Sequence, residues 1–260
     1  MRAFIFNTAS AVSMSANSLY TDLSAYYDLM CQAINYPAQS RCVLRLHKIF
    51  GNQGKNHVDL ACGTGPHIQY FLQYGFDCLG LDINQPMLDI AQVRCPEAHF
   101  AVGDMSDFCL DKPVDLITCF LYSLHYCQQV DKLQSCFNSV HQALNPGGMF
   151  CFNAVDKDKI DNQIVERHSA EQNGSQFTFT SAWHYAGQGN QQALLLSIEK
   201  TSAQQSQVWH DSHNMVAVNF EQLQQLLSPL FSVHMFEHDY EKITPWQGQS
   251  GNAIFVCIKQ

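Results

Sequence analysis

The sequence has little charge and no cluster of positive charge. Charged residues make up 14% of the 260 residues, and 23 acidic against 14 basic side chains leave a net charge of −9. No run of Lys or Arg is present. Proteins that grip nucleic acid or an anionic membrane surface usually carry a basic stripe or patch. We therefore expect neither nucleic acid nor a membrane to be a partner of this chain.

The chain also lacks the patterns that accompany zinc sites, redox pairs and membrane spans. Its 11 cysteines include no C-x-x-C pair, so no such site is signalled. Many cysteines stand in apolar runs, such as those around Cys119 and Cys151, which favours buried reduced thiols in a cytoplasmic protein. No apolar stretch approaches the roughly 18 residues of a membrane-spanning helix. The apolar stretch near the start ends at Asn7, too early for a signal peptide.

Enough apolar sequence is present for a sizeable core, because hydrophobic residues make up 46% of the chain. Between residues 57 and 155, short apolar strands alternate with amphipathic helices. Residues 114–121 have the apolar character of a central parallel strand. Repeated β-α-β units of this kind predict an α/β fold with a doubly wound sheet.

The pattern divides the chain into five segments. The β-rich pieces after residue 155 are separated by Gly or Gln/Asn turns, and the final helix has Asn219 as a plausible cap. The expected segments are a disordered tail (1–18, with Met14 as an alternative start), an N-terminal helical cap (19–55), a cofactor-binding core (56–155), an antiparallel β lid or insertion (156–218), and a final helix and β-hairpin that complete the core sheet (219–260).

The main functional signal is a loop of small residues between a strand and a helix. The segment VDLACGTGP places small residues at Ala61, Gly63 and Gly65, whereas a dinucleotide-binding loop has the spacing G-x-G-x-x-G. Small residues let a ligand approach the backbone, and the helix that follows offers free N–H groups. Asp59 would repel a polyanionic cofactor and suits the ammonium and sulfonium groups of S-adenosylmethionine. A turn that uses its glycines for geometry alone is the alternative.

Two more acidic residues follow the next two strands. Asp82 ends the second strand, at a place where an acid typically holds ribose hydroxyls. Capping of the helix at 85–94 is its alternative role, although Asn84 is nearer to that helix. Asp104 follows the third strand in V-G-D-M, where an adenine edge would lie.

These segments resemble, in order and spacing, the motifs of the class I S-adenosylmethionine-dependent methyltransferases. The segments are DLACGTG, GLDINQPMLDIA, VGDM, VDLITCF and LNPGGMF, all within residues 57–155. The resemblance implies a seven-stranded, mostly parallel Rossmann-like sheet with S-adenosyl-L-methionine as cofactor and S-adenosyl-L-homocysteine as product. The cofactor-binding residues expected on this basis are Asp59, Ala61, Cys62, Gly63, Gly65, Asp82, Ile83, Met87, Asp104, Met105 and Phe120, with Tyr20 and Tyr36 from the cap.

The resemblance also implies individual roles. The acid matching Asp82 binds the ribose, and the residue matching Ile83 packs on the adenine. The acid matching Asp104 hydrogen-bonds the adenine amine, with Met105 beside it. Ala61 stands where many members carry glycine, so the fit on the methionine side of the cofactor is expected to differ slightly.

The methyl acceptor should bind beyond the carboxyl end of the strand at 114–121, where ligands of parallel sheets bind. Ser123, His125 and Tyr126 follow that strand. His125 is the best candidate for a base or an acceptor contact, and a structural histidine is the alternative. Tyr27 resembles the cap tyrosine that lies against the cofactor or acceptor in small-molecule methyltransferases, with core packing as the alternative. The N-P-P-Y and P-C-Q motifs of DNA adenine and cytosine methyltransferases do not occur.

The β insertion is rich in aromatic residues and histidines. A metal site is not expected there, because His210 and His213 point to opposite faces of a strand. An aromatic wall over the acceptor, a dimer interface and a half-buried sheet remain open. The insertion is similar to that of the nucleotide-amino-sugar N-methyltransferases. The residues concerned are Trp183, His184, Tyr185, Trp209, His210 and His213.

We therefore predict a cytoplasmic enzyme, an S-adenosylmethionine-dependent methyltransferase that acts on a small molecule, with N-methylation of an amino group favoured. A homodimer is an option. The alternatives are an RNA methyltransferase, which the acidic charge disfavours, and a catalytically silent S-adenosylmethionine-binding protein. An NAD- or FAD-dependent oxidoreductase is disfavoured by the spacing of the small-residue loop.

Overall fold

The computed structural model of the protein describes residues 12–13, 18–20, 24–202 and 205–260. Two short 3-10 helices, Ser18–Tyr20 and Ser123–Cys127, border the site described below. The strands and α-helices are, in chain order, β1 (Val12–Ser13), α1 (Ser24–Met30), α2 (Tyr36–Phe50), β2 (Asn56–Leu60), α3 (Pro66–Gln73), β3 (Asp77–Asp82), α4 (Gln85–Arg94), β4 (His99–Val102), β5 (Val114–Cys119), α5 (Val130–Ala143), β6 (Leu144–Val155), β7 (Glu166–Gln172), β8 (Ser175–Tyr185), β9 (Gln191–Thr201), β10 (Ser206–Val216), α6 (Phe220–Leu227), β11 (Phe231–Glu237) and β12 (Asn252–Lys259).

A seven-stranded sheet forms the centre of the fold, in the order β11-β12-β6-β5-β2-β3-β4. Neighbouring strands from β4 across to β6 pair in parallel, whereas β12 runs antiparallel to both β6 and β11. The α/β class and the mostly parallel, seven-stranded Rossmann-like sheet predicted from the sequence are confirmed.

Helices cover both faces of this sheet, and every residue of β5 is buried. Val43 of α2 and Phe71 of α3 pack on one face. Phe137 of α5 and Leu223 of α6 pack on the other, together with Phe152 of β6. A strand covered on both faces has no reason to alternate apolar and polar side chains. This is why residues 114–121 stood out in the sequence as a near-continuous apolar run.

The strand order changes direction at β2, which lies between β3 and β5. The loops that follow β2 and β5 therefore diverge and leave a crevice outside the carboxyl ends of the strands. The loops after β2, β3, β4 and β5 border this crevice, and they carry several of the functional residues expected from the sequence, such as Gly63, Ile83 and Asp104.

A second sheet, with the order β1-β10-β9-β8-β7, is formed by the insertion. Strands β7 to β10 are antiparallel, and the antiparallel β insertion predicted from the sequence is confirmed. Phe177, Phe179 and Ile198 of this sheet share a core with Leu19, and Tyr26 of α1 packs against it. The insertion therefore supports the N-terminal segment that borders the crevice.

Two features of the second sheet differ from the sequence expectations. Strand β7 was not anticipated. Val12–Ser13, within the segment expected to be disordered, pairs with Trp209 and His210 of β10. An edge strand presents unpaired backbone groups that even a two-residue strand can satisfy. Residues 1–11 and 14–17 lie outside the described residues, and for them disorder stays a prediction.

The structure also describes the thiols, the lengths of the helices and the grouping of potential metal ligands. All 11 cysteines are free, and ten of them are buried. Among the helices of the described ranges, none is long and apolar enough to cross a membrane. No group of three or more His, Cys, Asp and Glu side chains in those ranges is arranged to hold a metal ion.

Candidate functional site

A cavity of about 350 Å³ opens at the carboxyl ends of the parallel strands. A drug-sized ligand or cofactor needs a cavity of roughly this size or larger. Each neighbouring loop contributes to its wall, which combines carboxylates, amides, hydroxyls and apolar side chains. The lining residues are Tyr20, Tyr27, Ala61, Gly63, Asp82, Ile83, Asn84, Met87, Gly103, Asp104, Met105, Ser106, Leu121, Ser123, Tyr126, Cys127, Gln128, Gln129 and Lys132.

The small-residue loop forms one wall, and its backbone conformation explains its composition. Ala61, Gly63 and Gly65 all have positive φ, at 51°, 56° and 78°. At Gly63 a Cβ atom would lie 3.4 Å from Met87 Cε and 3.8 Å from Tyr27 Cε1, within the space that faces the cavity. Ala61 and Gly63 line the cavity. Gly65 instead packs against α4, where its Cβ would meet Ala91 Cβ at 3.2 Å.

Asp82 joins two of the loops that form the cavity. Its Oδ2 accepts a 2.9 Å hydrogen bond from the Gly63 N–H, and its Oδ1 accepts one of 2.9 Å from the Asn84 N–H. Burial raises the pKa of Asp82, and these donors oppose the rise. The carboxylate is thus held rigidly at the cavity wall with lone pairs left for a ligand. The Asn84 side chain makes no capping hydrogen bond to α4.

Asp104 lies at the other end of the cavity wall, after β4. Its Oδ1 accepts hydrogen bonds from the Ser106 N–H at 2.8 Å and from the Ser106 hydroxyl at 2.7 Å, while Lys132 Nζ lies 3.6 Å from Oδ2. Partial burial raises the pKa of Asp104, but these donors outweigh burial and the net pKa is lowered. A carboxylate that stays ionised is suited to accept a hydrogen bond from an exocyclic amine.

Asp59 is buried beneath the small-residue loop. Its Oδ1 accepts a 2.6 Å hydrogen bond from the Thr118 hydroxyl, and Thr118 Oγ1 lies 2.8 Å from His57 Nε2. Burial raises the pKa of Asp59 to about 7, because the hydrogen bond from Thr118 compensates only part of the lost hydration and the charge of Asp82 adds to the rise. None of the ion pairs among the residues that the structure describes involves Asp59. Asp59 lines a small cavity of about 20 Å³ that adjoins the main one through Tyr27, Ala61 and Ser123.

The apolar residues expected at the cofactor divide between the two cavities. Ile83, Met87 and Met105 line the main cavity, and Ile83 is 65% exposed although it is a large apolar side chain. An exposed isoleucine at a cavity rim offers a flat apolar surface to a planar ring. Cys62 and Phe120 line the small cavity beside Asp59.

Tyrosines close the end of the cavity that faces the second sheet. Tyr20, Tyr27 and Tyr126 line this end. The ring centroid of Tyr20 lies 5.7 Å from the centroid of Tyr27 and 5.7 Å from that of Tyr126. Burial raises the pKa of all three hydroxyls, so they are neutral in the physiological range. Tyr36 does not line either cavity. Its ring packs edge-on against His67, with 5.0 Å between centroids.

Hydrogen bonds and an ion pair connect helix α1, which carries Tyr27, to the core. Asp28 accepts a 2.6 Å hydrogen bond from the Thr64 hydroxyl and pairs with Arg94 of α4. Arg94 Nη1 also donates to the Thr64 carbonyl at 2.7 Å. The cap helix, the small-residue loop and α4 are thereby tied together at one point.

His125 does not line the cavity, and both of its ring nitrogens contact backbone. Nδ1 lies 2.9 Å from the Val216 carbonyl, and Nε2 accepts a 3.1 Å hydrogen bond from the Val155 N–H. Burial lowers the pKa of His125 to about 4. This geometry is that of the structural histidine named as the alternative, and it does not support the role as a base or acceptor contact.

Several lining residues were not anticipated from the sequence. The loop after β5 turns sharply, with Leu121 at φ 55° and Tyr122 at φ 61°. No glycine marks this turn in the sequence. The segment from this turn to the first residues of α5 brings to the cavity Leu121, Cys127, Gln128, Gln129 and Lys132. The other loops add Asn84, Gly103 and Ser106. Of these residues, only Gly103 had a signal in the sequence, because it belongs to the V-G-D-M segment.

The sequence matches a known domain over the part that forms this site. Residues 58–148 match the protein family described as "Methyltransferase domain". A dTDP-4-amino-2,3,4,6-tetradeoxy-D-glucose N,N-dimethyltransferase of Saccharopolyspora spinosa is 32% identical over 136 residues, 51% of this chain and 55% of that protein. A dTDP-3-amino-3,4,6-trideoxy-alpha-D-glucopyranose N,N-dimethyltransferase of Streptomyces venezuelae is 29% identical over 130 residues, 49% and 55% of the two chains. The chain thus spans just over half the length of these relatives.

Solved structures match over nearly the whole chain. The sugar N-methyltransferase KedS8 from a Streptoalloteichus species superposes with a TM-score of 0.81 at 16% identity, covering 98% of this chain and 99% of that one. DesVI from Streptomyces venezuelae gives 0.79 at 21% identity, covering 92% and 99%. At these identities the likeness is one of fold, and it includes the β insertion.

The matched domain and the fold confirm the resemblance to the class I S-adenosylmethionine-dependent methyltransferases that was stated from the sequence. S-adenosylmethionine is the cofactor of this class. Within the class, the chain is similar to the N,N-dimethyltransferases of dTDP-linked amino sugars.

Proposed function

We propose that the protein uses S-adenosylmethionine to methylate the amino group of a small molecule, and that this molecule is an amino sugar linked to a nucleotide. The observation that carries the proposal is the cavity itself, which has the carboxylates of Asp82 and Asp104 in its wall, neutral tyrosines at one end and Asp59 in the small cavity beside it. The similarity to dTDP-amino-sugar N,N-dimethyltransferases supports the choice of acceptor.

The residues present fit S-adenosylmethionine by the chemistry of their donors and acceptors. Asp82 would accept hydrogen bonds from the ribose hydroxyls and Asp104 one from the adenine amine, while Ile83 and Met105 offer apolar surface to the ring. Asp59 is buried and joins none of the ion pairs among the described residues, and a ligand ammonium would supply a positive charge beside it. When bound, the cofactor supplies an activated methyl group, so that the protein has chiefly to position the acceptor.

The residues at the end of the cavity opposite the adenine would bind the methyl acceptor. Tyr20, Tyr27, Ser123 and Tyr126 place hydroxyl groups around that part of the cavity. Neutral hydroxyls can accept hydrogen bonds from an amine and orient its lone pair without trapping it as an ion pair. Tyr27 keeps its proposed role against the cofactor or acceptor, whereas His125 is not included.

We also propose that the protein acts without nucleic acid, in a reducing compartment, and as a homodimer. The net charge of −9 supports a function without nucleic acid. Free, mostly buried thiols support a reducing compartment such as the cytoplasm. A homodimer has some support from Ile164 and Val165, which are 56% and 48% exposed beside the edge strand β7. Light scattering of the purified protein would test that association.

The test of function is a turnover assay. The purified protein is incubated with S-adenosylmethionine and a panel of dTDP-3-amino and dTDP-4-amino sugars, and products are read by mass spectrometry. We expect one or two added methyl groups together with S-adenosylhomocysteine, and far less product with an Asp82→Ala variant at the same limiting concentration of S-adenosylmethionine. Cofactor binding by calorimetry without methylation of any amino sugar in the panel would refute the proposed acceptor and favour a silent binding protein.

A further inference from the structure

A chain of polar contacts leads from the cavity wall into the second sheet. The Tyr20 and Tyr126 hydroxyls, which both line the cavity, lie 2.6 Å apart. The Tyr126 hydroxyl is hydrogen-bonded to His213 Nδ1. His213 Nε2 lies 3.0 Å from Asp211 Oδ2 on the same strand. Four side chains from three separate parts of the chain are thus connected in a row.

The inner half of this row is sealed from solvent. The His213 side chain is fully buried and that of Asp211 is 10% exposed. Asp211 is itself held in place by the Leu19 N–H, which donates to Oδ2 at 3.2 Å, and by the Ser212 N–H, which donates to Oδ1 at 2.9 Å. The Tyr20 ring packs on His213 with 5.1 Å between centroids. Burial and packing therefore hold the four side chains of the row in their positions.

The carboxylate at the end sets the direction of every proton in the row. An ionised Asp211 can only accept, so the Nε2 that faces it carries the proton, even though this N–H is not well aligned with the carboxylate. In a neutral His213, Nδ1 then presents its lone pair and accepts from Tyr126. The oxygen of Tyr126 is left to accept from Tyr20. Each hydroxyl therefore donates away from the cavity.

We propose that Tyr20, Tyr126, His213 and Asp211 form a proton relay that takes a proton from the acceptor ammonium, an inference that rests on the proposed function. The ammonium gives its proton to the Tyr20 oxygen, Tyr20 passes one to Tyr126, and Tyr126 passes one to His213 Nδ1. An imidazolium paired with Asp211 results. The freed amine forms the N–CH₃ bond and becomes a methylammonium, and the electron pair of the broken C–S bond returns to sulfur, so the sulfonium becomes a neutral thioether. Tyr20 and Tyr126 are the residues that face the acceptor, and His213 and Asp211 act through them.

Other titratable groups face the row from the neighbouring elements. They are Cys31 and Tyr27 from the cap and Asp82 from β3. Burial raises the pKa of Cys31 to about 11 and that of Tyr27 well above its usual range. Burial also raises the pKa of Asp82, against the hydrogen bonds that it accepts. Thiol and phenol thus stay protonated between about pH 6 and pH 9, where the relay is tested.

The relay is tested with Asp211→Asn and Tyr126→Phe in the full chain. An amide at 211 lets the imidazole carry its proton on Nδ1, which reverses the row, much as an aspartate-to-asparagine change misorients the catalytic histidine of serine proteases. At about pH 7 both variants should lose roughly 100-fold in kcat on the accepted dTDP-amino sugar, within the range of general-base catalysis, with the Kd for S-adenosylmethionine unchanged. The loss should shrink toward about pH 9 as free amine accumulates in solution. Tyr185→Phe is the matched control, because that hydroxyl donates to the Gly189 carbonyl outside the cavity.

A second readout does not depend on turnover. Nitrogen NMR of histidine-labelled protein should show His213 protonated on Nε2 at neutral pH, with its Nδ1 signal moved by Tyr126→Phe and its tautomer changed by Asp211→Asn. His213 protonated on Nδ1 in the wild type, or a kcat loss that does not shrink as pH rises, would overturn the relay. If the wild type methylates no amino sugar but shows the expected tautomer, the proposed acceptor is refuted, and so is the role of the relay as an amine base. The direction of the hydrogen bonds in the row would still stand.

Discussion

Replacement of Asp59 by asparagine should make the protein more stable and, at the same time, a poorer binder of S-adenosylmethionine. Asp59 is buried, and the hydrogen bond from Thr118 offsets only part of its desolvation. Asparagine has the same shape and keeps an oxygen that can accept from Thr118. It removes a buried charge that forms no ion pair within the described part of the chain.

The size of the stability change follows from the pKa. Burial raises the pKa of Asp59 from 3.8 to about 7, so the folded state takes up a proton that the unfolded state has already lost above about pH 4. Stability should therefore fall as pH rises from about 4 to 7 and then level off. At about 1.4 kcal/mol for each tenfold change, the ceiling is about 4 kcal/mol. Because the effective dielectric constant around buried charges in proteins is well above that of a dry interior, we expect about 2 kcal/mol at pH 8, or about 4–8 °C in Tm.

Cofactor binding should change in the opposite sense. A ligand ammonium beside Asp59 would form a charge-assisted interaction worth roughly 1.5–3 kcal/mol, so Asp59→Asn should weaken S-adenosylmethionine binding by about 10- to 100-fold. Because the ligand favours the ionised carboxylate, wild-type affinity should rise between about pH 5 and pH 7, and this rise should be absent from the variant.

Thermal unfolding from pH 4 to pH 8, and calorimetric titration over the same range, measure both effects. Asp77→Asn is the control, since Asp77 is an exposed residue at the start of β3, and it should leave both properties unchanged. If Asp59→Asn is no more stable than the wild type at pH 8, the buried charge is compensated by the protein. If its affinity for the cofactor is unaltered at every pH, Asp59 does not face the ammonium.

Three other substitutions test the rest of the site. Asp82→Ala should weaken S-adenosylmethionine and S-adenosylhomocysteine alike by roughly 1.5–3 kcal/mol, and calorimetry showing unchanged affinity would remove its role at the ribose. Arg94→Met should free the cap helix at Asp28, which we expect to raise the Kd for cofactor several-fold and to speed proteolysis near α1; a wild-type cleavage pattern would contradict this. His125→Ala should lower stability by about 2–4 kcal/mol, because the backbone groups that it joins lose their partners, while cofactor affinity stays unchanged. A fully stable His125→Ala with reduced kcat would restore the catalytic role.

Much of the core could be predicted because its signals are local. Helix α4 begins and ends at the residues expected, and α6 begins after Asn219, whose side chain accepts from Gln222 N–H in a capping box. Strand β6 is less local in origin, since it begins at Leu144 and takes in the N-P-G-G segment, although proline and glycine are typical of turns. The pairing of β6 with β5 shifts register between Val114 and Leu116, and that irregularity absorbs the proline and the glycines.

The sequence by itself determined the sheet, the small-residue loop and the acids at Asp59, Asp82 and Asp104, because each depends on residue types a few positions apart. Only the tertiary structure decided the roles of neighbours such as His125 and Tyr126. Both follow the same strand, but the short 3-10 helix turns His125 toward Val155 and Val216 and Tyr126 toward the cavity. His213 lies 87 residues from Tyr126 and meets it only because the second sheet packs beside that helix. Contacts between distant segments are set by packing, which no local pattern encodes.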